Sequence, residues 1–321
     1  MKVLVTGGCG YVGTVLTEAL LARAGCDVTV LDAQWFGNHL RPHPRLTVLA
    51  TDVRHIDDVD LSPYEIIFHL ANVANDPAVE LNPYLSWEIN VLATMRLADR
   101  AARQGVGHFI FASSGSVYGV RSEPRVTEDL TLVPISEYNK TKMVAERVVL
   151  SYADQMKTTI IRPATTCGCS PRMRLDLTVN LLTMQALTKG AMTVFGGEQV
   201  RPSVHIDDLV DLYLFAADRG LTGIYNAGFE NLTVLEIANR IAATIPVKIT
   251  MLPPNDPRSY RLCSDRVLAA GFTPKKDIAT AIAEVAAAYR SGRLKDEPEW
   301  HNVAWMKARG LAGGPVAAPQ I

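Results

Sequence analysis

The sequence lacks several features that mark particular classes of protein. Its 321 residues carry 32 basic and 33 acidic side chains, so no excess of positive charge is available to bind a nucleic-acid backbone. It has no run of about 18 to 20 apolar residues, the length that a membrane-spanning helix needs. Met1 to Gly7 resemble a strand and lack a signal peptide's charged start and cleavage site. We therefore expect a cytoplasmic protein that binds neither nucleic acid nor membrane.

Cysteine is also scarce. The chain has five, Cys9, Cys26, Cys167, Cys169 and Cys263, and their odd number and irregular spacing argue against a disulfide framework. Cys167 and Cys169 form a Cys-x-Cys pair, but no second Cys or His pair at zinc-finger spacing accompanies it. The sequence predicts free thiols and no metal site.

Short β-branched segments alternate with amphipathic segments through the first half of the chain, the pattern of βαβ units. Parallel strands need long crossover connections, and the amphipathic segments have the length to supply them. The sequence therefore predicts an α/β fold with a doubly wound parallel sheet of the Rossmann type. The predicted strands are 2–6, 27–32, 47–50, 66–70, 108–112 and 158–162. The predicted helices between them are 13–23, 87–104 and 136–153.

The regular alternation of strand-like and helical segments ends after Arg162-Pro163. We predict a Rossmann domain over residues 1–165, to which 202–228 returns, and a smaller mixed α/β C-terminal substrate lobe from 166–201 and 229–290. In this half, helical patterns cover 177–189, 206–217 and 233–244, and strand-like patterns cover 193–196 and 224–227. Prolines lie among glycines in residues 291–321, so we expect a poorly ordered tail, although Trp300 and Trp305 offer side chains to dock part of it.

The first predicted strand leads into a glycine-rich loop. Gly7, Gly10 and Gly13 form a G-x-x-G-x-x-G pattern between that strand and a helix. Glycines in this context permit a tight turn and the close approach of a pyrophosphate, which binds the unpaired N–H groups at the start of the helix. Asp32 ends the next strand, where a carboxylate accepts hydrogen bonds from the adenosine ribose. The pattern predicts a bound dinucleotide.

The same carboxylate discriminates between dinucleotides. A carboxylate at position 32 repels a 2′-phosphate, and Ala33-Gln34-Trp35-Phe36 provides no Arg or Lys to hold one. The sequence thus favours NAD over NADP. The alternative for Asp32 is a solvated carboxylate at a strand end.

Tyr138 and Lys142 are four residues apart at the start of a predicted helix, so their side chains share a face. An ammonium group near a buried tyrosine favours the phenolate, so we expect a lowered Tyr138 pKa and proton exchange with a sugar hydroxyl. A Y-x-x-x-K spacing is common by chance. Its position after a strand and the serines at 113, 114 and 116 gives it weight.

With these residues the chain resembles the extended short-chain dehydrogenase/reductase family, in its nucleotide-sugar epimerase/dehydratase branch. The resemblance covers roughly residues 1 to 290. It depends on seven segments that occur in the family's order: Thr6 to Gly13, His69 to Ala71, Asn90-Val91, Ser113 to Gly119, Tyr138 to Lys142, Arg162-Pro163 and Arg201 to Asp208. The resemblance implies NAD as cofactor, a nucleotide-diphosphate sugar as substrate, and a homodimer that pairs two long helices of each subunit.

The resemblance also implies residue roles. Tyr138 would be the catalytic base and acid, Lys142 would hold the nicotinamide ribose, and Ser114 would bind the reacting oxygen. The substrate would also meet Ser116, and its diphosphate would meet Asn180, Arg201 and Arg258, although the family arginine often lies a few residues before Arg258, where this chain has Pro253. Further cofactor positions would be Gly7, Gly10, Tyr11, Val12, Gly13, Asp32, Asp52, Val53, Leu70, Ala71, Asn90 and Pro163.

The two residues that follow Ser114 distinguish between the reactions of the family. The relatives that eliminate water carry Asp-Glu where this chain has Gly115-Ser116, and the relatives that decarboxylate carry Glu at position 116. A serine cannot supply that proton transfer, so the resemblance favours epimerisation, most simply at C4. A reductase or dehydrogenase of a nucleotide sugar is the alternative. A non-catalytic NAD-binding regulator is disfavoured because Ser114, Tyr138 and Lys142 are all present.

Several positions keep two interpretations. Asn75 and Asp76 either contact sugar hydroxyls or form a turn before Pro77. Arg172 and Arg174 either meet an acidic sugar or coat a loop. We expect structural roles for two histidines, His69 and His205. The apolar residues Ile89, Leu92, Leu97, Val144 and Val148 either form a dimer interface or face the sheet.

Overall fold

The structure is a computed structural model that describes residues 1–254, 256 and 258–313. Within them the strands are β1 Lys2–Thr6, β2 Asp27–Asp32, β3 Leu46–Ala50, β4 Ile66–His69, β5 His108–Ala112, β6 Lys157–Pro163, β7 Thr165–Cys167, β8 Ala191–Phe195, β9 Val200–His205, β10 Gly223–Ala227, β11 Glu230–Thr233 and β12 Lys248–Leu252. The α-helices are α1 Tyr11–Leu21, α2 Asp76–Leu81, α3 Pro83–Trp87, α4 Thr94–Arg103, α5 Glu137–Leu150, α6 Thr178–Lys189, α7 Ile206–Arg219, α8 Val234–Ala242, α9 Asp265–Ala269, α10 Ile278–Arg290 and α11 Asn302–Ala308. The 3₁₀-helices are Val53–Asp58, Gly115–Tyr118 and Pro298–Trp300.

Seven of the described strands form one sheet in the order β10-β6-β5-β4-β1-β2-β3, and every pair in it is parallel. The order extends in both directions from β1 and β4, so the crossovers place helices on both faces. This confirms the predicted doubly wound sheet. On one face α1 and α7 bury Leu16 and Tyr213; on the other, α4 and α5 bury Leu97 and Val149.

A buried ion pair fixes α5 to the sheet. Arg162 of β6 donates two hydrogen bonds to the Glu146 carboxylate of α5, at 2.9 and 2.7 Å, and a third to the Tyr118 hydroxyl at 2.6 Å. The Arg162 and Glu146 side chains are 2% and 1% exposed. A buried charge needs such a partner, so the pair restricts how α5 can pack. Ser136 caps the N-terminus of α5, because its hydroxyl accepts a hydrogen bond from the backbone N–H of Asn139.

The second lobe is built on two small sheets. In the described residues β11, β9 and β7 form a three-stranded sheet, and β12 and β8 pair in parallel. Helices α6, α8 and α10 cover them with a separate apolar cluster. The predicted return of the chain to the first domain holds for α7 and β10 only, because β9, which includes residues 202–205, pairs inside the second lobe.

The long helix predicted over residues 87–104 is interrupted. Helix α3 ends at Trp87, residues Glu88–Ala93 form a π-helix, and α4 follows. Ile89 and Leu97 are buried in the core, whereas Leu92 and Met95 are exposed. A homodimer through this helix stays a prediction, and Ile89 and Leu97 are not part of its surface.

The tail differs from the expectation of poor order. Residues 302–308 form α11, and Met306 is 2% exposed in the core. The indole N–H of Trp305 donates to the backbone carbonyl of Trp35 at 2.7 Å. Residues 314–321 lie outside the described part of the chain. Within that part, every helix is too short or too polar to span a bilayer.

Candidate active site

A cavity of about 500 Å³ opens beyond the carboxyl ends of β1, β4, β5 and β6. The strand order of the main sheet reverses here, which leaves room above the strand ends for a ligand. The second lobe closes the opposite side. Nearly all predicted site residues line the cavity: Gly7, Gly10, Tyr11, Val12, Gly13, Asp32, Asp52, Val53, Leu70, Ala71, Asn75, Ser114, Ser116, Tyr138, Lys142, Pro163, Arg201 and Arg258.

The glycine loop is tightly packed, and a side chain at Gly7 or Gly13 would clash with the backbone. A Cβ atom on Gly13 would lie 2.1 Å from the carbonyl oxygen of Gly7. Gly7 has φ +75°, and a Cβ there would lie 2.6 Å from the backbone nitrogen of Ala71. No side chain caps the N-terminus of α1 at Gly10. The start of α1 therefore offers backbone N–H groups and a positive dipole end to a phosphate.

Asp32 lies at the end of β2, on the other side of this loop. Its carboxylate accepts hydrogen bonds from the backbone of Cys9 at 2.9 Å and of Gln34 at 2.7 Å. Burial raises the Asp32 pKa, and these two hydrogen bonds oppose the rise. Each carboxylate oxygen keeps a lone pair for a further donor such as a ribose hydroxyl.

Two predicted site residues do not line the cavity. The Asn90 side chain is buried, accepts from the backbone of Val73 at 2.8 Å and donates to Thr141. The Asn180 side chain is buried, accepts from the backbone of Gly168 at 3.1 Å and donates to the Tyr11 hydroxyl. Contact of Asn90 with a cofactor, and of Asn180 with a diphosphate, stays a prediction. Both amides hold the segments that form the walls.

Tyr138 and Lys142 share a face of α5, as their spacing predicts, and both line the cavity. The Lys142 ammonium donates to the carbonyl of Ala112 at 2.7 Å and lies 4.9 Å from the centre of the Phe111 ring. Burial lowers the Lys142 pKa to about 7. Lys142 is therefore fixed at the end of β5 instead of pairing with the phenol.

The predicted lowering of the Tyr138 pKa is wrong. Burial and the nearby Asp76 carboxylate raise it to about 12. Arg174, the Ser114 side chain and Arg258 act in the opposite direction. The phenol is thus protonated near neutral pH, and added positive charge in the cavity would favour its ionisation.

Three polar side chains surround the position where a sugar oxygen would meet Tyr138. The hydroxyls of Ser114 and Ser116 lie 2.8 Å apart, and the Asn139 amide donates to Ser116 at 2.8 Å. Sequence reasoning missed Asn139, although it lies within the quoted Tyr138 to Lys142 segment. Gly115 and Ser116 place no carboxylate beside Ser114.

The charged groups at this end of the cavity occur in pairs. Arg258 contacts Asp76 and Asp256, each at 2.6 Å, and Arg201 contacts Asp256 at 3.1 Å. Asn75, at φ 73°, caps α2 by accepting from Ala78, so the turn interpretation of this segment is confirmed. Its amide nevertheless faces the cavity and donates to Asp176 at 3.1 Å.

Arg172 and Arg174 both reach the cavity and do not coat a surface loop. Arg174 donates to Asp176 through two nitrogens, at 2.9 and 3.0 Å. Arg172 donates to the Asn302 amide oxygen at 2.7 Å. Asn302 and Met306, which also line the cavity, lie in the predicted tail and were missed because no local pattern marks them.

The two histidines have structural surroundings, as the sequence predicts. His69 is fully buried and lies 2.6 Å from the Thr6 hydroxyl and 2.8 Å from that of Thr94. His205 lies close enough to Asp207 and Glu284 to suggest a metal-ligand group. Lys276, however, donates to both carboxylates, at 2.6 and 2.7 Å, and supplies the positive charge there.

Comparison with known proteins identifies the family. The sequence profile of the NAD dependent epimerase/dehydratase family matches residues 3–228. The chain belongs to this family. It is therefore an NAD-dependent enzyme of the epimerase/dehydratase class, and the glycine loop and Asp32 fit the pyrophosphate and ribose of that cofactor.

The relatives of this epimerase/dehydratase catalyse different reactions. The UDP-glucose 4-epimerase of Lactobacillus helveticus is 28% identical over 309 residues, which cover 86% of this chain and 93% of that protein. UDP-glucuronic acid decarboxylase 1 of Arabidopsis thaliana is 30% identical over 267 residues, 78% of this chain and 60% of that protein. The solved NAD-dependent NDP-hexosamine 5,6-dehydratase TunA is 27% identical with a TM-score of 0.81, covering 90% of this chain and 98% of TunA.

Proposed function

We propose that this enzyme is a nucleotide-sugar 4-epimerase that retains NAD between turnovers. One observation carries the proposal: Ser114, Tyr138 and Lys142 line the same cavity as the glycine loop, and Gly115-Ser116 adds no carboxylate beside them. This set suffices to move one proton and position one sugar carbon. A further carboxyl group near Tyr138 is Asp76, and Arg258 pairs with it at 2.6 Å.

In this proposal Tyr138 takes the proton of the C4 hydroxyl and later returns it to the oxygen. Ser114 and Ser116 bind the same oxygen and hold it against the phenol. Lys142, at the end of β5, binds the nicotinamide ribose, and the positive charges of Arg174 and Arg258 favour the phenolate. Bound NAD would supply the hydride acceptor for C4 and, once reduced, the hydride donor to the other face of the keto sugar.

The cofactor would be held by residues from the first domain. Gly7, Gly10, Tyr11, Val12 and Gly13 would hold the pyrophosphate through the backbone and Asp32 the adenosine ribose. Asp52 and Val53 would border the adenine, and Leu70, Ala71 and Pro163 would border the nicotinamide half. The contact of each with the cavity supports these assignments.

The substrate's diphosphate would be held by Arg201 and Arg258. A guanidinium matches two phosphate oxygens at once, and both side chains face the cavity beyond Tyr138. Asp256 contacts both arginines, so a diphosphate would share them with that carboxylate. Asn75 is placed to meet a sugar hydroxyl.

The paired charges favour an uncharged sugar and disfavour elimination. Arg174, which would otherwise attract a sugar carboxylate, is already bound by Asp176. The positive charge of Arg174 also lowers the Asp176 pKa, and Arg258 holds Asp76 at 2.6 Å. A carboxyl with a lowered pKa, as in Asp176, is a poor proton donor to a leaving hydroxyl.

The experiment is a panel of UDP-, GDP-, CDP- and dTDP-hexoses incubated with the purified enzyme in D₂O. We expect one sugar to be converted to its 4-epimer with no accumulation of NADH and no deuterium in the product, because the hydride returns within the site. Loss of water with a C5=C6 double bond in the product would replace epimerisation by 5,6-dehydration, the reaction that the name of TunA gives. Loss of water with deuterium at C5 would replace it by 4,6-dehydration. Stoichiometric NADH would indicate a dehydrogenase, and turnover only with added NADH or NADPH would indicate a reductase.

A further inference from the structure

The C-terminal end of the described chain forms hydrogen bonds with three other segments around the cavity. We call residues 297–313 the C-terminal strap. The Trp305 indole donates to Trp35, which follows β2, and the Trp300 carbonyl accepts from Leu175 in the segment before α6 at 2.8 Å. The Gly313 backbone donates to the carbonyl of Leu81 in α2 at 2.9 Å. The strap therefore crosses between the first domain and the segment that comes from the second lobe.

The strap also reaches the interior. Asn302 and Met306 line the cavity and are 3% and 2% exposed. The Asn302 amide oxygen accepts from the Arg172 guanidinium at 2.7 Å. The strap thus supplies part of the cavity wall and determines where one arginine lies.

Arg172 is a buried cation without an anionic partner. Its side chain is 2% exposed, and its guanidinium carbon lies 4.0 Å from the centre of the Phe36 ring. Among the described residues its Nε atom has no hydrogen-bond partner and no carboxylate forms an ion pair with it. A buried guanidinium is costly unless an anion faces it, so this geometry points to an anionic ligand.

The loop that carries Arg172 lies over the start of α1. The Tyr11 hydroxyl donates to the Gly168 carbonyl at 2.7 Å, and the Ser170 hydroxyl donates to the Tyr11 carbonyl at 2.7 Å. The Ser170 hydroxyl also lies 2.9 Å from that of Thr14. Arg172 follows two residues later and enters the same cavity as Gly10. An anion bound at the N-terminus of α1 would therefore share this cavity with Arg172.

We propose that Arg172, positioned by Asn302, binds the pyrophosphate of NAD, and that the strap slows the release of the cofactor. An arginine fork and the start of α1 would then hold the two phosphates from opposite sides. A retained cofactor is what a reaction that returns its hydride requires. The inference depends on NAD binding and is independent of which sugar the enzyme converts.

The test measures NAD binding directly. Enzyme freed of cofactor is titrated with NAD and with ADP by calorimetry, and NAD release is timed by displacement with labelled NAD. We expect R172A to bind NAD and ADP at least about tenfold more weakly, a change of about 1.4 kcal/mol. R172K should recover part of the affinity, since it restores the charge without the fork. N302A should release NAD several-fold faster.

The control is K307A, an exposed strap residue on the same helix, which should bind and release NAD as the unmodified enzyme does. Adenosine competition locates the effect, because its affinity should not change in R172A if Arg172 meets phosphate. Equal losses for ADP and adenosine would overturn the phosphate contact, and unchanged NAD binding in R172A and N302A would overturn the inference. If R172A does not fold, R172Q must show the loss.

These outcomes separate this inference from the proposed function. Faster NAD release in the strap variants, with no epimer formed by the unmodified enzyme, would contradict the 4-epimerase proposal and leave the cofactor contact standing. Epimer formation by an enzyme whose variants bind NAD normally would do the reverse.

Discussion

The two ends of the cavity differ in how their charges are balanced. Near Tyr138 each arginine faces a carboxylate, as in Arg174 with Asp176 and Arg258 with Asp76. Near the glycine loop Arg172 forms no ion pair with a carboxylate of the described residues, although Asp32 and Asp176 act on it from a longer distance. The start of α1 adds a positive dipole end there.

The difference indicates which ligand group each end accepts. Paired charges give a surface of fixed hydrogen-bond donors and acceptors, which suits sugar hydroxyls. An unpaired cation attracts a phosphate more strongly than Arg201 and Arg258 do, because those two share their charge with Asp256. An enzyme that must release a sugar and keep a dinucleotide needs this asymmetry, because the stronger electrostatic attraction then acts on the molecule that stays.

The largest expected effect comes from removing the phenol at the sugar end. Y138F should lower kcat by roughly 10²- to 10⁴-fold, because it removes the group that transfers the proton. NAD content should not change, since the ring remains. Initial rates with the sugar found in the panel, together with NAD released on denaturation, check both statements. The control is Y152F, which removes a hydroxyl near Asp99 at the surface and should keep full activity. Substantial turnover by Y138F would contradict the assigned base.

The next effect concerns the cofactor end. G13A should bind NAD at least about tenfold more weakly, because the new Cβ would lie 2.1 Å from the Gly7 carbonyl oxygen and the loop must open. Calorimetric titration of NAD measures the change. G107A is the matched control, because a Cβ there meets only the Glu65 carbonyl oxygen, at 3.4 Å. Normal NAD affinity in G13A would show that the loop tolerates opening.

The two ends also differ in how far the sequence predicts them. The strands of the main sheet and the positions of Gly13, Tyr138 and Lys142 follow from local patterns, since the β-branched segments and the four-residue spacing need no knowledge of distant residues. The Arg172 and Asn302 pair joins positions 130 residues apart, and no periodicity reports such a contact. The strap was therefore misjudged from its prolines and glycines.

The surroundings of Asn180 and the direction of the Tyr138 pKa shift were not predicted, for a related reason. The family motif places Asn180 near a diphosphate, but its orientation depends on Tyr11 and Gly168, which other parts of the chain bring together. The effect of Lys142 on Tyr138 likewise depends on where the ammonium points, and Ala112 receives it. The sequence motif therefore predicts which residues form the site. Burial and long-range contacts decide how their side chains are oriented and protonated.

The smallest effect tests whether the paired charges at the sugar end tune Tyr138. The Asp76 carboxylate raises the Tyr138 pKa, whereas Arg258 and Arg174 lower it. D76N removes the negative charge and leaves Arg258 with one carboxylate fewer, so both changes favour the phenolate. Because the base must be deprotonated, the acidic limb of the kcat/KM profile should move to lower pH.

The control for this shift is D256N. Asp256 also contacts Arg258, at 2.6 Å, so D256N weakens the same ion-pair network while the Asp76 carboxylate stays beside the phenol. If the shift comes from charge near Tyr138, D76N should move the acidic limb further than D256N does. Equal shifts would assign the effect to Arg258 alone, and a shift of D76N to higher pH would mean that Asp76 helps to remove the proton. In that case the paired end of the cavity would take part in the chemistry instead of only shaping it.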